Sequence, residues 1–272
     1  MSSPFRSFRY RPINEFLWES LTESEIYFSD PDQLDDPYDC RVNILETLAR
    51  AAKDHSFRLH KAIRNPYSTI VELLQSLGIY RLRSRRQKIL HRLFDADAFL
   101  EQIQNDMSSF GVCCFSRTLY NAVMWSHHAD GHKGVCLYYE IPPSFIVDPA
   151  NGMFGYSPVT YGDDALFNWL VSTNELEGLS PLNAAIEIMK RALTVKGKDW
   201  AYEDEARLIR PASGTMKIRP EFLKRICFGM RTSDEHRARL RGIVRDGYNN
   251  NVKFAEIRHE GKKDFGIAAY DA

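Results

Sequence analysis

Apolar residues recur along this chain with two different periods, and the changes of period divide it into strands and helices. Phe8-Arg9-Tyr10-Arg11 alternates large and basic side chains and reads as a short first strand. Residues 13–22 (INEFLWESLT) switch to helical spacing, which would turn Ile13, Phe16 and Leu17 toward a core. Residues 25–29 (EIYFS) return to a strand and run into a loop of acids and prolines, DPDQLDDPYDC. From about 41 to 109 the pattern is helical, with breaks near Asn65-Pro66 and Gly78. Residues 111–116 read as a buried strand and 121–129 as a short helix, ended by Asp130-Gly131. Residues 134–141 form a strong strand, stopped by Pro142-Pro143. Further strands are expected at 158–161, 203–210, 222–228, 251–257 and 265–268, with helices over about 180–195 and 234–247.

Strands gather at the two ends of the chain while helices fill residues 41–109. That arrangement predicts an α+β fold, a central and mostly antiparallel sheet with a helical insertion, and not alternating βαβ units. No stretch has the composition of an interdomain linker, so 1–272 is expected to be one domain carrying the insertion. With 44% hydrophobic and 26% charged residues the composition is that of an ordinary globular protein. Thirty-six basic residues balance 36 acidic ones, which leaves no overall field to draw in nucleic acid or an anionic membrane. The exception is local. RLRSRRQKILHR, residues 81–92, carries six arginines or lysines and no acid, and could contact phosphates or simply be the solvated face of a helix. Five cysteines without a CxxC argue against a disulfide scaffold or a structural zinc site. There is no apolar leader and no run approaching 18 apolar residues, so a cytoplasmic protein without a membrane span is expected.

The polar positions that carry candidate chemistry are few. Glu203-x-Glu205-x-Arg207, if extended, would place two carboxylates and a guanidinium on one strand face. Like charges at that spacing repel, so the pattern either belongs to a solvated edge strand or fixes the protonation of a site. The acids Asp35, Asp36 and Asp39 follow a strand and could hold Mg²⁺, although capping and ordering of the loop is the favoured role for Asp36 and Asp39. His127, His128 and His132 cluster after Trp125, but a glycine interrupts the i, i+4 pair and no HExxH glutamate is present, so no metal site is expected. Glycines in the 131–134 turn could let the backbone approach a ligand closely. Ser116 ends a strand and could position a ligand hydroxyl or cap a helix. It is not in a GxSxG elbow, and neither GxGxxG nor a P-loop occurs.

Four stretches together are more specific than any one. They are Phe8-Arg9-Tyr10-Arg11; Ile26-Tyr-Phe-Ser-Asp-Pro31 with Asp35-Asp36-Pro37-Tyr38-Asp39; Cys114-Phe-Ser116 with Met124-Trp-Ser-His127 and His132-Lys-Gly-Val135; and Trp200-Ala-Tyr-Glu-Asp-Glu-Ala-Arg207. In this order they resemble, over roughly residues 8–258, a widespread bacterial family of unknown function similar to the AbiGi abortive-infection proteins. Two positions depart from the family pattern: Asp35 stands where asparagine is usual, and His128 where tyrosine is usual. The family in turn is remotely similar to the ADP-ribosyltransferase fold, with an early-strand Arg or His, a mid-chain serine and a late Glu-x-Glu. That likeness implies NAD as substrate. Glu205 would be the catalytic carboxylate and Glu203 would activate the acceptor. Arg9 or Arg11 would pair with the pyrophosphate, and Ser116 would take a place in the cofactor site. Tyr10, Tyr27 or Trp125 would pack on the nicotinamide ring, while Arg207 would tune the carboxylates or anchor the strand. It implies a toxin effector in phage defence, modifying nucleic acid or protein.

Two other readings follow from the residues alone. One is a Mg²⁺-dependent nuclease or phosphodiesterase using Asp35, Asp36, Asp39 and Glu205, with residues 81–92 holding phosphates. The other is a non-catalytic binding module whose polar motifs only order loops.

Overall fold

A computed structural model describes residues 4–51, 109–177, 179, 181–248, 251–260 and 267–272. Its centre is a sheet of eight strands: β1 (Phe5–Arg11), β3 (Gly111–Ser116), β4 (Val135–Ile141), β5 (Gly155–Pro158), β8 (Glu205–Arg210), β10 (Leu223–Phe228), β11 (Lys253–His259) and β12 (Ile267–Asp271). Their order across the sheet is β12-β11-β10-β4-β1-β3-β8-β5. All neighbouring pairs are antiparallel except β10–β11. That parallel pair needs a crossover, supplied by a helix over Asp234–Gly247. The fold is α+β around a mostly antiparallel sheet, as the sequence predicts. Two small pairs flank it, β2 (Glu25–Phe28) with β9 (Gly214–Lys217) and β6 (Thr160–Tyr161) with β7 (Val195–Lys196).

The helices are α1 (Glu15–Thr22), α2 (Ile44–Ala51), α3 (Ala122–His128), α4 (Pro143–Val147), α5 (Ala165–Ser172), α6 (Pro181–Ala192) and the crossover α7. Local capping explains several starts. The Asn14 side chain accepts from Leu17 N (3.1 Å), and Asn121 accepts from Val123 N and Met124 N. Asn43, not Asp39, caps α2, through Glu46 N at 3.0 Å. The buried face of α1 is Leu17, Trp18 and Leu21, whereas Phe16 is 71% exposed, against the expectation that it faces the core. Of the expected helical insertion at 41–109, only residues 41–51, which include α2, and residue 109 are described. The breaks at Asn65-Pro66 and Gly78 and the basic run 81–92 lie outside the described residues.

Register sorts the side chains of the sheet onto its two faces. Phe8, Ser116 and Glu205 stand in line across β1, β3 and β8, as do Cys114 and Arg207, so all five share one face with Tyr10. This face has two helical covers: α2, α5 and α6 over Val112 and Ile209, and α3 over Tyr10, Cys136 and Cys227. Arg9 and Arg11 belong to the opposite face with Leu137 and Tyr139. There α1, the β2–β9 pair and α7 close the largest core around Phe28, Phe115 and Phe228.

The link between β1 and β3 is unusual. β1 is paired with β4 along its whole length, but it meets β3 only at Phe8↔Ser116. Beyond that point the strands part, and Ser29 takes over the edge of β3 with two backbone hydrogen bonds to Val112 (2.9 Å each). The turn before β4 fits closely against the same region. Asp130, Gly131 and His132 all have left-handed backbone, and a Cβ on Gly134 would collide with the Arg11 carbonyl. The close approach at Gly134 therefore serves β1, not a ligand.

Candidate active site

A cleft of about 260 Å³ opens where β1 and β3 part, between the two helical covers. Phe8, Arg9, Tyr10 and Arg11 form one bank and Cys114, Phe115 and Ser116 the other. Its floor and far wall are Asp39, His128, Lys196, Glu203 and Glu205. Six of the nine residues given a role by the ADP-ribosyltransferase likeness thus meet in one place: Arg9, Tyr10, Arg11, Ser116, Glu203 and Glu205.

The Glu-x-Glu pair does not form a strand stripe. Residues Lys198–Glu203 are a 3₁₀ turn, Asp204 is left-handed (φ 45°), and β8 begins only at Glu205. The kink brings both carboxylates into the cleft while keeping them at different depths. The Ser116 hydroxyl holds the turn by donating to the Glu203 carbonyl at 2.8 Å and accepts from Thr118 N at 3.3 Å. Arg117 N donates to the Asp204 carbonyl at 2.8 Å, and Arg117 also pairs with the Asp204 carboxylate. Nor is β8 a solvated edge strand. It lies between β3 and β5, with Glu203, Glu205 and Arg207 all buried.

Arg207 is 0% exposed and spends all its donors inside the protein. Nη1 and Nη2 grip Asp39 at 2.8 and 2.6 Å, and Nε and Nη2 hold Glu205 at 2.7 and 2.9 Å. Nη1 also donates to the Leu193 carbonyl at 2.8 Å. Lys196 forms the second cationic centre, with its Nζ 2.6 Å from Glu203, 3.4 Å from Asp39 and 3.5 Å from Glu205. Burial by itself would raise the Glu205 carboxyl. The charge and hydrogen bonds of Arg207, with Lys196 behind them, outweigh it and hold the group at about 2. Lys196 titrates well above its ordinary range: burial disfavours its charge, but Glu205, Asp39 and Glu203 more than offset that. Burial, followed by the nearby Glu205 carboxylate, pushes the Cys114 thiol up.

The corner beside Glu203 is arranged differently. Its Oε1 faces His128 Nε2 at 3.4 Å, and that nitrogen is buried without a hydrogen-bond partner among the described residues. His128 Nδ1 lies 3.7 Å from the exposed Asp35. Glu205 has both oxygens engaged by Arg207, while Glu203 keeps one oxygen directed at an unsatisfied imidazole.

Other predicted residues land elsewhere. Trp125 is 0% exposed, donates from Nε1 to the Leu119 carbonyl (2.9 Å) and packs edge-on against Tyr10, so its ring is core and not a wall for a ligand. Tyr27 lies on the other face of the sheet. Arg207 is walled off from the cleft by the carboxylates it holds, which makes it an anchor and not a ligand contact. Asp36 orders its loop by accepting from Tyr38 N at 2.9 Å, as expected, whereas Asp39 is the charge partner of Arg207. Among the described residues no group of three or more His, Cys, Asp or Glu side chains is placed to hold a metal ion. Lys196 and His128 were not foreseen as site residues. A lone lysine after the apolar run Ala192-Leu-Thr-Val195 is the one signal that marked the first.

Residues 124–208 match the model of a family described as a protein of unknown function, DUF2971. The matched stretch begins on α3 and ends on β8, so it contains His128, Lys196, Glu203, Glu205 and Arg207 but neither β1 nor Asp39. At that level it agrees with the resemblance to a family of unknown function. No curated protein and no solved structure matches the chain. Among the described residues no helix is long and apolar enough to cross a membrane.

Proposed function

We propose that this protein is an NAD⁺-consuming, ADP-ribosyltransferase-like enzyme that modifies a nucleic-acid or protein acceptor, a fitting activity for a toxin effector in phage defence. The observation that supports it is the cleft at the β1–β3 divergence, where two arginines, a strand-end serine and two glutamates converge. In such a reaction the nicotinamide–ribose bond breaks and its electron pair leaves with nicotinamide. The acceptor then supplies the pair for the new bond to the ribose carbon and loses its proton. Positive charge develops on the ribose, and fixed carboxylates in a dry site stabilise it. Arginines suit the pyrophosphate because the guanidinium pairs with it in bidentate fashion.

Geometry divides the two glutamates in the reverse of the sequence-based roles. Glu205 has both oxygens bonded by Arg207, is ionised near neutral pH, and supplies a fixed negative potential. Glu203, with Oε1 beside the unpartnered His128 Nε2, is the carboxylate that can take a ribose hydroxyl. The Mg²⁺ nuclease reading is less well supported, because Asp39 and Glu205 are already committed to Arg207 and Lys196.

The test is nicotinamide release from NAD⁺ by the purified full chain, with and without cell lysate as acceptor. Glu203→Gln should lower release by about 100-fold, the scale of losing one charge-stabilising group, with the melting temperature unchanged. Absence of release from the unaltered protein under both conditions would sink the assignment.

A further inference from the structure

The arginines of β1 border a second space. On the opposite face of the sheet a hollow of about 360 Å³ is lined by Arg9, Arg11, Tyr27, Leu137, Tyr139 and Thr215. Its size is at the lower end for small-molecule pockets, and its wall is mainly aromatic and aliphatic. Arg9 and Arg11 line both this hollow and the cleft, because they sit where β1 has left β3.

Among the described residues no carboxylate neutralises their charge. Arg9 donates to the Tyr27 carbonyl at 3.0 Å and stands over the Phe115 ring, and it makes no ion pair among the described residues. The Arg11 guanidinium has neither a hydrogen-bond nor an ion-pair partner among the described residues, and burial, then the neighbouring Arg9, bring it down to about 10. Two adjacent arginines held together without a carboxylate raise each other's energy unless an anion joins them. Glu19 and Glu25 also line the hollow, but neither comes within ion-pair distance of either arginine. A half-buried cationic pair without a carboxylate partner among the described residues, next to an aromatic wall, suits a ligand with a phosphate at one end and a flat ring at the other.

We infer that the hollow is a nucleoside-phosphate subsite: Arg9 and Arg11 hold the phosphate in the gap between β1 and β3, and the base packs among Tyr27, Tyr139 and Leu137. In combination with the proposed enzymatic reading, on which this extension rests, the adenosine half of NAD⁺ occupies the hollow and the nicotinamide half the cleft, with the two arginines between them. The nucleoside-phosphate site itself stands without that reading.

Calorimetric titration of the full chain with ADP tests it, because ADP lacks the nicotinamide half. ADP should bind, and Arg11→Gln should weaken it by about tenfold or more through loss of a bidentate phosphate contact. Thr215→Trp, at an exposed position on the rim, should have a similar effect by filling the hollow without touching the core. Glu203→Gln, on the other face, should leave ADP affinity within about twofold. No binding of ADP, or binding that Thr215→Trp leaves intact, would overturn the inference. ADP binding lost in both Arg11→Gln and Thr215→Trp in a protein that never releases nicotinamide would uphold the subsite while rejecting the proposed enzyme.

Discussion

Asp39→Asn is the substitution whose cost the structure defines most sharply. Asp39 is 2% exposed and accepts two hydrogen bonds from a guanidinium that is 0% exposed. The amide retains one acceptor oxygen but removes the charge, and it turns its NH₂ donors toward a second donor. Removing one partner of a buried ion pair costs about 3–5 kcal/mol, because the other charge remains buried and less compensated. Glu205 keeps its bonds to Arg207, so the lower half of that range is expected. Unfolding entropy of about 2.1 cal/mol/K per residue amounts to about 0.57 kcal/mol/K for a chain of 272 residues. The melting temperature should therefore fall by roughly 5–7 °C, readable by differential scanning calorimetry. A double-mutant cycle sharpens the test. Asp39→Asn combined with Arg207→Met should cost about 2 kcal/mol less than the sum of the single changes, since the second removes the charge that the first strands. A single-mutant shift below about 1 °C, or strict additivity, would show that the pair does not hold α2 and its loop to the sheet.

The other expectations concern the same region. Glu205, held at about 2 instead of its usual 4.5, contributes stability that is complete above pH ~4.5 and is lost as the pH falls toward 2. The size is on the order of 3 kcal/mol, so the gap in melting temperature between the parent protein and Glu205→Gln should be widest near neutrality and narrow steadily below pH ~4.5. A constant gap would argue that Glu205 is not ionised in the fold. Lys196→Met removes the cation shared by Asp39, Glu203 and Glu205, so the acid limb of the pH–activity profile of the proposed nicotinamide release should move to higher pH. Finally, all five cysteines are unpaired and their thiols are pushed up by burial, so the native protein should show no fast thiol titration at pH 8 and the denatured chain should show five.

How much of this was legible in the chain depended on whether a property is local. β4, α7 and the strands at 111–116 and 223–228 follow from apolar spacing and from proline or capping signals, all of which act within a few residues. The apolar pattern predicts neither β9 nor α5. Gly214–Lys217 carries little apolar signal and becomes a strand by pairing with β2, nearly 190 residues earlier. The Glu-x-Glu motif was visible, but its left-handed hinge at Asp204 was not, because an aspartate in that conformation is specified by Arg117 and Ser116 from across the sheet. Asp39 looked like a cap because its decisive partner, Arg207, lies 168 residues away.

The long-range ion cluster also bears on how the cleft can work. A carboxylate on a surface turn would sample several rotamers, and its charge would be screened by water. Here Asp39 comes from the loop before α2, Lys196 from β7 and Arg207 from the middle of the sheet, and together they fix Glu205 and the base of the 203–205 turn. As formal charges three carboxylates face two cations, so these five groups carry one net negative charge, with the His128 imidazole beside Glu203. Opposite it, across the gap between β1 and β3, stand Arg9 and Arg11, which make no ion pair among the described residues. A ligand that presents positive charge to the glutamates and negative charge to the arginines would satisfy both ends at once. NAD⁺, with a cationic nicotinamide ring on one side of a pyrophosphate, has that polarity, whereas a simple nucleotide matches only the arginine end. ADP affinity should therefore be insensitive to Glu203→Gln while NAD⁺ affinity falls, and equal losses for the two ligands would contradict this division of the site.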